Sequence, residues 1–451
     1  MCNLLQVFKL FIAFSICTIF FACESKVLED NPIIPTDTIP TIGPAKVYIE
    51  SNNGKWQIMR NGEPFYIKGA SAGALTESDY KNMQQYGGNS LRLYGFSSNL
   101  RSLLDMALKY ELTVMQGIWF VPEEWFDYSD SKATSAKIEE VRTEVRLYRN
   151  HPALLAWGIG NEVVGENSSD AMFKFMNDVS IMIHQEDSNH ITSIVTCGIT
   201  TKLANKIATL IPDLDFIGVN YYAGIPTIYP EMQASKLKKP YVVTEWGVNG
   251  PWEVGLTQWG CPIEDGSRQK AKLFKDRYNS YIAAYQGTCI GSYAFLWGDK
   301  DEGSPTWFGL FYEGNAVEQV DEISKSWTGS YPINRAPSII SSKLNGSANK
   351  YNTILSKSDE NLYTQQISDF EGDTMTVEYI VQPYNSTEGL ISDNSHTMKY
   401  IPGITYEETT TSCKLKFNDL QDEKTYKLYV ILKDSKGRTA TEVFPFRVSL
   451  K

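Results

Sequence analysis

Leu154-Leu155-Ala156-Trp157-Gly158-Ile159-Gly160, with Asn161-Glu162 directly behind it, is an apolar run of strand length closed by an acid. Three runs of the same kind precede it, Tyr66 to Ala70, Ser90 to Gly95 and Thr113 to Phe120. Four more follow: Ile191 to Cys197, Phe216 to Tyr222, Tyr241 to Thr244 and Ile290 to Trp297. Helical stretches lie between them. Leu100, Leu103, Leu104, Ala107 and Leu108 recur at helical spacing, as do Met172, Phe175, Met176, Val179 and Ile183. Thr76 with Asp79 predicts a capping-box start, and Gly87-Gly88 a helix end. Strands alternating with helices imply parallel βαβ units, and eight of them match a (β/α)8 TIM barrel, whose active sites lie on the loops after the strands. A doubly wound open sheet is the competing arrangement. It calls for a glycine-rich phosphate loop after its first strand, and Lys68-Gly69-Ala70-Ser71-Ala72-Gly73 lacks the G-x-G-x-x-G spacing.

The 451 residues are 42% hydrophobic and 21% charged, which excludes a largely disordered chain and a multi-pass membrane protein. A net charge of −11 offers no attraction to a phosphate backbone, so nucleic acid is not an expected partner. Lys9 precedes the apolar run Leu10 to Phe21, which has the length of a signal-peptide core. The stretch Phe20-Phe21-Ala22-Cys23 resembles the lipobox of bacterial lipoproteins. The expected organisation is therefore a lipoprotein signal peptide over 1–22 and an anchor and spacer over 23–45, with Cys23 lipidated and Pro32, Pro35, Pro40 and Pro44 preventing a helix. That implies export and a lipid anchor in the bacterial outer membrane, at the cell surface. The barrel is expected over 46–332. Beyond Pro332 and Pro337 the pattern turns to short alternating segments, among them Thr376 to Val381, Lys414 to Phe417, Lys427 to Leu432 and Val443 to Val448, which predict an immunoglobulin-like β-sandwich over 333–451.

No cofactor or metal is expected. The histidines form no H-x-x-x-H or H-E-x-x-H pair, Cys197 and Cys289 read as buried free thiols, and Asp369, Glu371 and Asp373 read as a solvated turn rather than a calcium loop.

Two acids close apolar strands, Glu162 after the fourth and Glu245 after the seventh. Ionised carboxylates are costly in such surroundings unless paired or used, and strands 4 and 7 face each other across a barrel mouth. That placement suits retaining glycoside cleavage, in which a protonated carboxyl donates to the leaving oxygen and a carboxylate about 5 Å away attacks the anomeric carbon. Glu162 is the expected acid/base, protonated by apolar surroundings and the opposing charge. Glu245 is the expected nucleophile, kept ionised by a cation, for which Arg92 at the end of the second strand is the candidate.

Asn150-His151-Pro152-Ala153, Gly160-Asn161-Glu162, Thr244-Glu245-Trp246-Gly247 and Trp297 together resemble the large clan of retaining β-glycosidases with acids on barrel strands 4 and 7. The resemblance covers about residues 50 to 330. It implies that Asn161 binds a sugar 2-hydroxyl, that Arg92 is the strand-2 arginine, that Tyr222 (or Tyr221, one register step away) hydrogen-bonds the nucleophile, and that Trp297 floors the −1 sugar. Within the clan the chain is similar to family 158 endo-β-1,3-glucanases and to the barrel of family 2 enzymes.

Trp119, Trp125, Trp252 and Trp259 sit on long loops after strands 3, 4 and 7 and are candidate stacking surfaces for sugars, Trp119 and Trp252 foremost. The expected function is a retaining glycoside hydrolase acting on β-linked polysaccharide or oligosaccharide, endo-acting on β-glucan, with β-1,3 linkages favoured. The alternatives are a non-catalytic surface glycan-binding lipoprotein and a β-glucan transglycosidase. The sandwich is expected to be a spacer or packing module.

Overall fold

A computed structural model describes residues 43–384, 401–417 and 424–449. The expected signal, the Cys23 lipidation site and nearly all of the spacer lie outside these residues. No helix among the described residues is long and apolar enough to cross a membrane.

The chain enters through a three-stranded antiparallel sheet, β1 (Val47–Asn52), β2 (Lys55–Arg60) and β3 (Glu63–Phe65). Ala45, Val47 and Ile58 join Ile67, Met115, Leu155, Ile191, Phe216, Val242 and Ile290 in one buried cluster, so this sheet closes the lower end of the barrel. The sequence reading did not foresee it.

Eight parallel strands follow: β4 (Ile67–Ala72), β5 (Ser90–Leu93), β6 (Thr113–Ile118), β7 (Leu154–Ile159), β8 (Ile191–Cys197), β9 (Phe216–Asn220), β10 (Tyr241–Trp246) and β11 (Cys289–Trp297). They pair in sequence order, and β11 returns to β4 to close the barrel. The helices packed around it include α1 (Glu77–Gln85), α2 (Leu100–Lys109), α3 (Ser131–Tyr148), α4 (Asp170–Glu186), α5 (Thr201–Leu210), α6 (Ile228–Ala234), α7 (Ser267–Arg277) and α8 (Glu318–Thr328). Their apolar faces explain the order. Met172, Phe175, Met176, Val179 and Ile183 of α4 are all buried, as are Leu100, Leu104 and Ala107 of α2. Thr76 and Asp79 form the capping box at the start of α1, with the Thr76 N–H donating to Asp79 Oδ2 at 2.7 Å. Gly87 ends that helix at φ +86°, and a Cβ there would lie 2.2 Å from Thr328 Cγ2, so glycine is required twice over.

The C-terminal part is a β-sandwich. One sheet orders β12 (Phe311–Tyr312), β13 (Asn315–Val317), β21 (Arg438–Ser449), β20 (Thr425–Asp434) and β17 (Met375–Pro383), with β15 (Ile354–Ser356) also on β21. The other orders β14 (Ser338–Leu344), β16 (Asn361–Ser368), β19 (Ser412–Leu415) and β18 (Thr405–Thr409). Between them lies a separate core that includes Leu344, Tyr363, Leu415, Leu428, Val430, Phe444 and Phe446. Strands β12 and β13 come from the segment just past the barrel's last strand, and Ala316 and Val317 pair in parallel with Arg438 and Thr439. The two parts thus share a sheet.

Candidate active site

The pleat of β10 sends alternate side chains to opposite faces. Trp246 packs outward on Phe274 and Tyr278, at 5.1 and 5.9 Å between ring centroids, and Glu245 points into the mouth, 6% exposed. Four groups donate to it. Arg92 Nη1 (2.9 Å), Tyr94 OH (3.0 Å) and Asn220 Nδ2 (2.9 Å) reach Oε1, and Tyr222 OH (2.8 Å) reaches Oε2. Arg92 and Tyr94 are two residues apart at the end of β5, as are Asn220 and Tyr222 at the end of β9, so each pair faces one way. Burial first, and then the charge of Glu245, pushes both phenols well above their usual range, so they remain donors.

Glu162 lies on the turn after β7. Gly160 takes φ +72° and Glu162 itself φ +56°, a conformation that non-glycine residues rarely adopt and that tends to mark functional sites. The Glu162 N–H donates to the Val195 carbonyl at 2.9 Å, which locks the turn against β8. Its carboxyl is pushed up from 4.5 to about 7, by burial first and by the charge of Glu245 second, with the Asn220 hydrogen bond opposing.

Asn220 joins the two acids. Thr244 Oγ1 donates to its Oδ1 at 2.7 Å, which aims Nδ2 at Glu162 Oε1 (2.8 Å), Glu245 Oε1 (2.9 Å) and Asn161 Oδ1 (3.1 Å). Two acceptor oxygens sharing one nitrogen at those lengths lie within about 6 Å of each other, so the two carboxyl groups approach closely across the mouth. Asn161 Oδ1 also accepts from Arg92 Nη2 at 2.6 Å, and Arg92 is 3% exposed, with its guanidinium 4.6 Å from the centre of the Tyr94 ring.

Beside this pair stands an aromatic wall. Tyr222 packs on Phe295 at 5.9 Å, Phe308 at 5.7 Å and Trp252 at 6.1 Å between centroids. Trp252 remains 47% exposed, and Trp119 stands 55% exposed directly after β6. Trp125 is also exposed, beside a hollow of about 460 Å³ that it lines with Glu123, Asp127 and Tyr128. Trp259 is half-buried. Lys300 and Glu302, on the loop after β11, pair at 3.2 Å, and burial raises Glu302 with a smaller push from Glu245.

Two expectations are corrected. Trp297 is no sugar floor: it is 0% exposed, its Nε1 donates to the Asp79 carbonyl at 3.0 Å, and its ring packs on Tyr86 and Phe311. The ladder between β11 and β4 shifts register between Ala294 and Trp297, which turns Trp297 out of the mouth and leaves Phe295 as the aromatic facing Tyr222. Cys197, read as buried, is exposed at the end of β8, whereas Cys289 is buried. The walls around Cys197 and the charges of Glu162 and Glu245 raise its thiol, which stays neutral.

Tyr222, not Tyr221, donates to Glu245; Arg92 pairs with Glu245, and Asn161 reaches that group through Arg92 and Asn220. The sequence reading missed Tyr94, Asn220, Phe295 and Phe308. The two-residue spacing from Arg92 to Tyr94 and from Asn220 to Tyr222 was the available signal; nothing local marked Phe308. Elsewhere among the described residues, Asp369, Glu371 and Asp373 offer ligand atoms within 4.8 Å of one another, but Asp369 Oδ1 accepts the N–H groups of Glu371 and Asp373, and Asp373 pairs with Lys436 at 3.2 Å.

Residues 68–259 match the family described as glycosyl hydrolases family 2, TIM barrel domain. No curated protein matches the chain. Similar solved structures include a calcium-binding mutant of Bacteroides uniformis β-glucuronidase 2, at 14% identity and TM-score 0.50, with 90% of this chain and 48% of that one covered. A β-D-glucuronidase from Dictyoglomus thermophilum shows 17% identity, TM-score 0.49 and coverage of 62% and 53%. A family 2 β-galacturonidase from Eisenbergiella tayi, bound to galacturonate, shows 16% identity, TM-score 0.49 and coverage of 64% and 55%. The chain spans about half the length of these structures. Residues 68–259, which carry β4 to β10 of the closed barrel, are thus similar to the TIM barrel domain of the family 2 glycoside hydrolases, and β11 beyond them completes the barrel.

Proposed function

We propose that this protein is a retaining β-glycosidase in which Glu162 is the acid/base and Glu245 the nucleophile. The observation that carries the reading is the single amide of Asn220 bonded to both carboxylates, because it brings the two acids into the close approach that double displacement needs. Glu162, raised to about 7, carries a proton to give to the leaving oxygen. Glu245 Oε2, to which only Tyr222 donates among the described residues, is the oxygen that attacks the anomeric carbon, while Oε1 is held by Arg92, Tyr94 and Asn220. The bond to the sugar forms as the bond to the leaving oxygen breaks; water then attacks the glycosyl-enzyme, with Glu162 taking its proton. Asn161, whose Oδ1 already accepts two hydrogen bonds, presents its Nδ2 to a sugar hydroxyl.

The substrate in this reading is a neutral β-linked glycan, with β-1,3-glucan favoured and endo action along the cleft flanked by Trp119 and Trp252. One feature supports a neutral sugar over a uronate: Arg92 and Lys300 are already paired with the carboxylates of Glu245 and Glu302. In the same reading the chain is exported and anchored through lipid on Cys23, so Cys23→Ala releases it from the membrane fraction.

The test is a product profile. The protein and its Glu245→Ala variant are incubated with β-1,3-, β-1,4- and mixed-linked glucans and with mannan. Oligosaccharides released only by the unmodified protein support the reading and name the linkage. No release across the panel, or equal release by both proteins, rejects it.

A further inference from the structure

Behind the aromatic wall lies a buried ion pair with no part in the proposed chemistry. Glu264, on the loop after β10, and Lys270, on α7, are each 1% exposed, and Lys270 Nζ donates to Glu264 Oε1 at 2.7 Å. The pair's other side-chain bonds go to the loop after β11. Thr306 Oγ1 donates to Glu264 Oε1 at 2.7 Å, Ser304 Oγ donates to Oε2 at 2.6 Å, and Lys270 Nζ donates to the Thr306 carbonyl at 2.6 Å. Burial pulls the Glu264 carboxyl up, but Lys270 and Lys427 outweigh it and hold the group below its usual range. Lys427 belongs to β20 of the sandwich, and its Nζ lies 5.7 Å from the centre of the Trp307 ring. A second sandwich segment reaches the same loop: Lys350 Nζ donates to the Glu264 carbonyl, and Asn352 Oδ1 accepts from the Gln258 N–H, both at 3.2 Å.

A buried ion pair is rarely the most stable filling, since apolar side chains of equal volume often do as well or better. What it supplies is direction, because each of its bonds fixes an angle as well as a distance. Thr306 leads into Trp307, whose Nε1 donates to the Asn249 carbonyl at 2.8 Å, and then into Phe308, which packs on Tyr222, Trp252 and Phe295. Tyr222 in turn donates to Glu245.

We propose that Glu264 is a positioning residue: with Lys270 and the sandwich's Lys427, it ties the loop after β10 to the loop after β11 and so places Phe308 and Trp252 beside the acid pair. The sandwich is then part of the catalytic unit rather than a spacer. The functional side of this inference rests on the glycosidase reading; the tie itself does not.

The test uses the full chain with Glu264→Leu/Lys270→Met, which removes both charges together, and with Lys427→Met as a second variant that leaves the pair intact. Lys270→Arg is the conservative control. The readouts are melting temperature, hydrogen exchange of residues 248–264 and 298–310, and KM and kcat on 4-nitrophenyl β-D-glucopyranoside and a β-1,3-glucan oligosaccharide. The expected result is an unchanged or higher melting temperature for the double variant, faster exchange confined to the two loops, and KM up about tenfold with kcat changed less than about threefold. Lys427→Met moves KM in the same direction, and Lys270→Arg leaves it near the parent value. Unchanged loop exchange, or kcat and KM that move only as the folded fraction moves, overturns the proposal. If the parent protein hydrolyses neither probe, the β-1,3-glucan assignment fails and loop exchange alone decides the tie.

Discussion

Replacing Glu245 by Gln removes one charge next to Glu162 and leaves its burial unchanged. Glu162 stands at about 7 because burial, and then the Glu245 charge, disfavour its ionised form. Two unit charges about 5.5 Å apart interact by roughly 1.5 to 3 kcal/mol at an effective dielectric of about 40 to 20, which corresponds to about one to two pH units. Glu162 is only partly buried, which favours the lower end of that range. Arg92, no longer neutralised by its 2.9 Å partner, pulls the same way. The Glu162 midpoint in Glu245→Gln is therefore expected about one unit lower or somewhat more, but still above 4.5, because burial remains the largest cause. The assay is a titration of carboxyl-labelled glutamate followed by ¹³C NMR, with the Glu162 signal identified by its absence in Glu162→Gln. Stability follows the same sign. A carboxyl raised in the folded state stabilises the fold at low pH, and that contribution is lost as pH rises from about 4.5 through about 7 in the parent. In the variant the loss is complete at lower pH. An unchanged or higher Glu162 midpoint would refute the coupling and, with it, the assignment of opposite protonation states to the two acids.

Three further outcomes follow from the same geometry. The parent's kcat/KM should fall about tenfold per pH unit above about 7 as Glu162 ionises, and Asn220→Ala should move that limb upward, since its amide favours the charged form; a limb that stays in place contradicts the role of Asn220. Glu245→Ala should abolish turnover on every accepted substrate, while Glu162→Ala should lose about 10²- to 10⁴-fold on poor leaving groups and far less on dinitrophenyl glycosides; equal losses on both would exclude Glu162 as the acid. Trp297→Ala should cost about 3–5 kcal/mol of stability, read as a lowered melting temperature, whereas Trp252→Ala should spare stability and raise KM; the opposite pattern would return Trp297 to the substrate.

The (β/α)8 order was legible because each barrel strand is a short apolar run and each helix carries a 3.6-residue stripe, and both periodicities are local properties of the chain. The positions of Glu162 and Glu245 at strand ends were legible for the same reason, and Arg92 followed once the strands were counted. The face that a side chain takes at a strand end is another matter, because a register shift of one residue reverses it, and such shifts depend on the neighbouring strand. The shift between Ala294 and Trp297 exchanged a predicted sugar floor for a core tryptophan and brought Phe295 to the mouth. Asn220 gained its role only when Thr244, one strand away, turned its amide toward both acids. The shared sheet of β13 and β21, and the reach of Lys427 to Trp307 and of Lys350 to Glu264, join residues more than 80 positions apart. By itself the sequence determined the barrel's elements, their order and the acids that close two strands. The tertiary structure decided which side chains meet, since contact across strands and between domains depends on packing and register, for which a single chain's local pattern carries no signal.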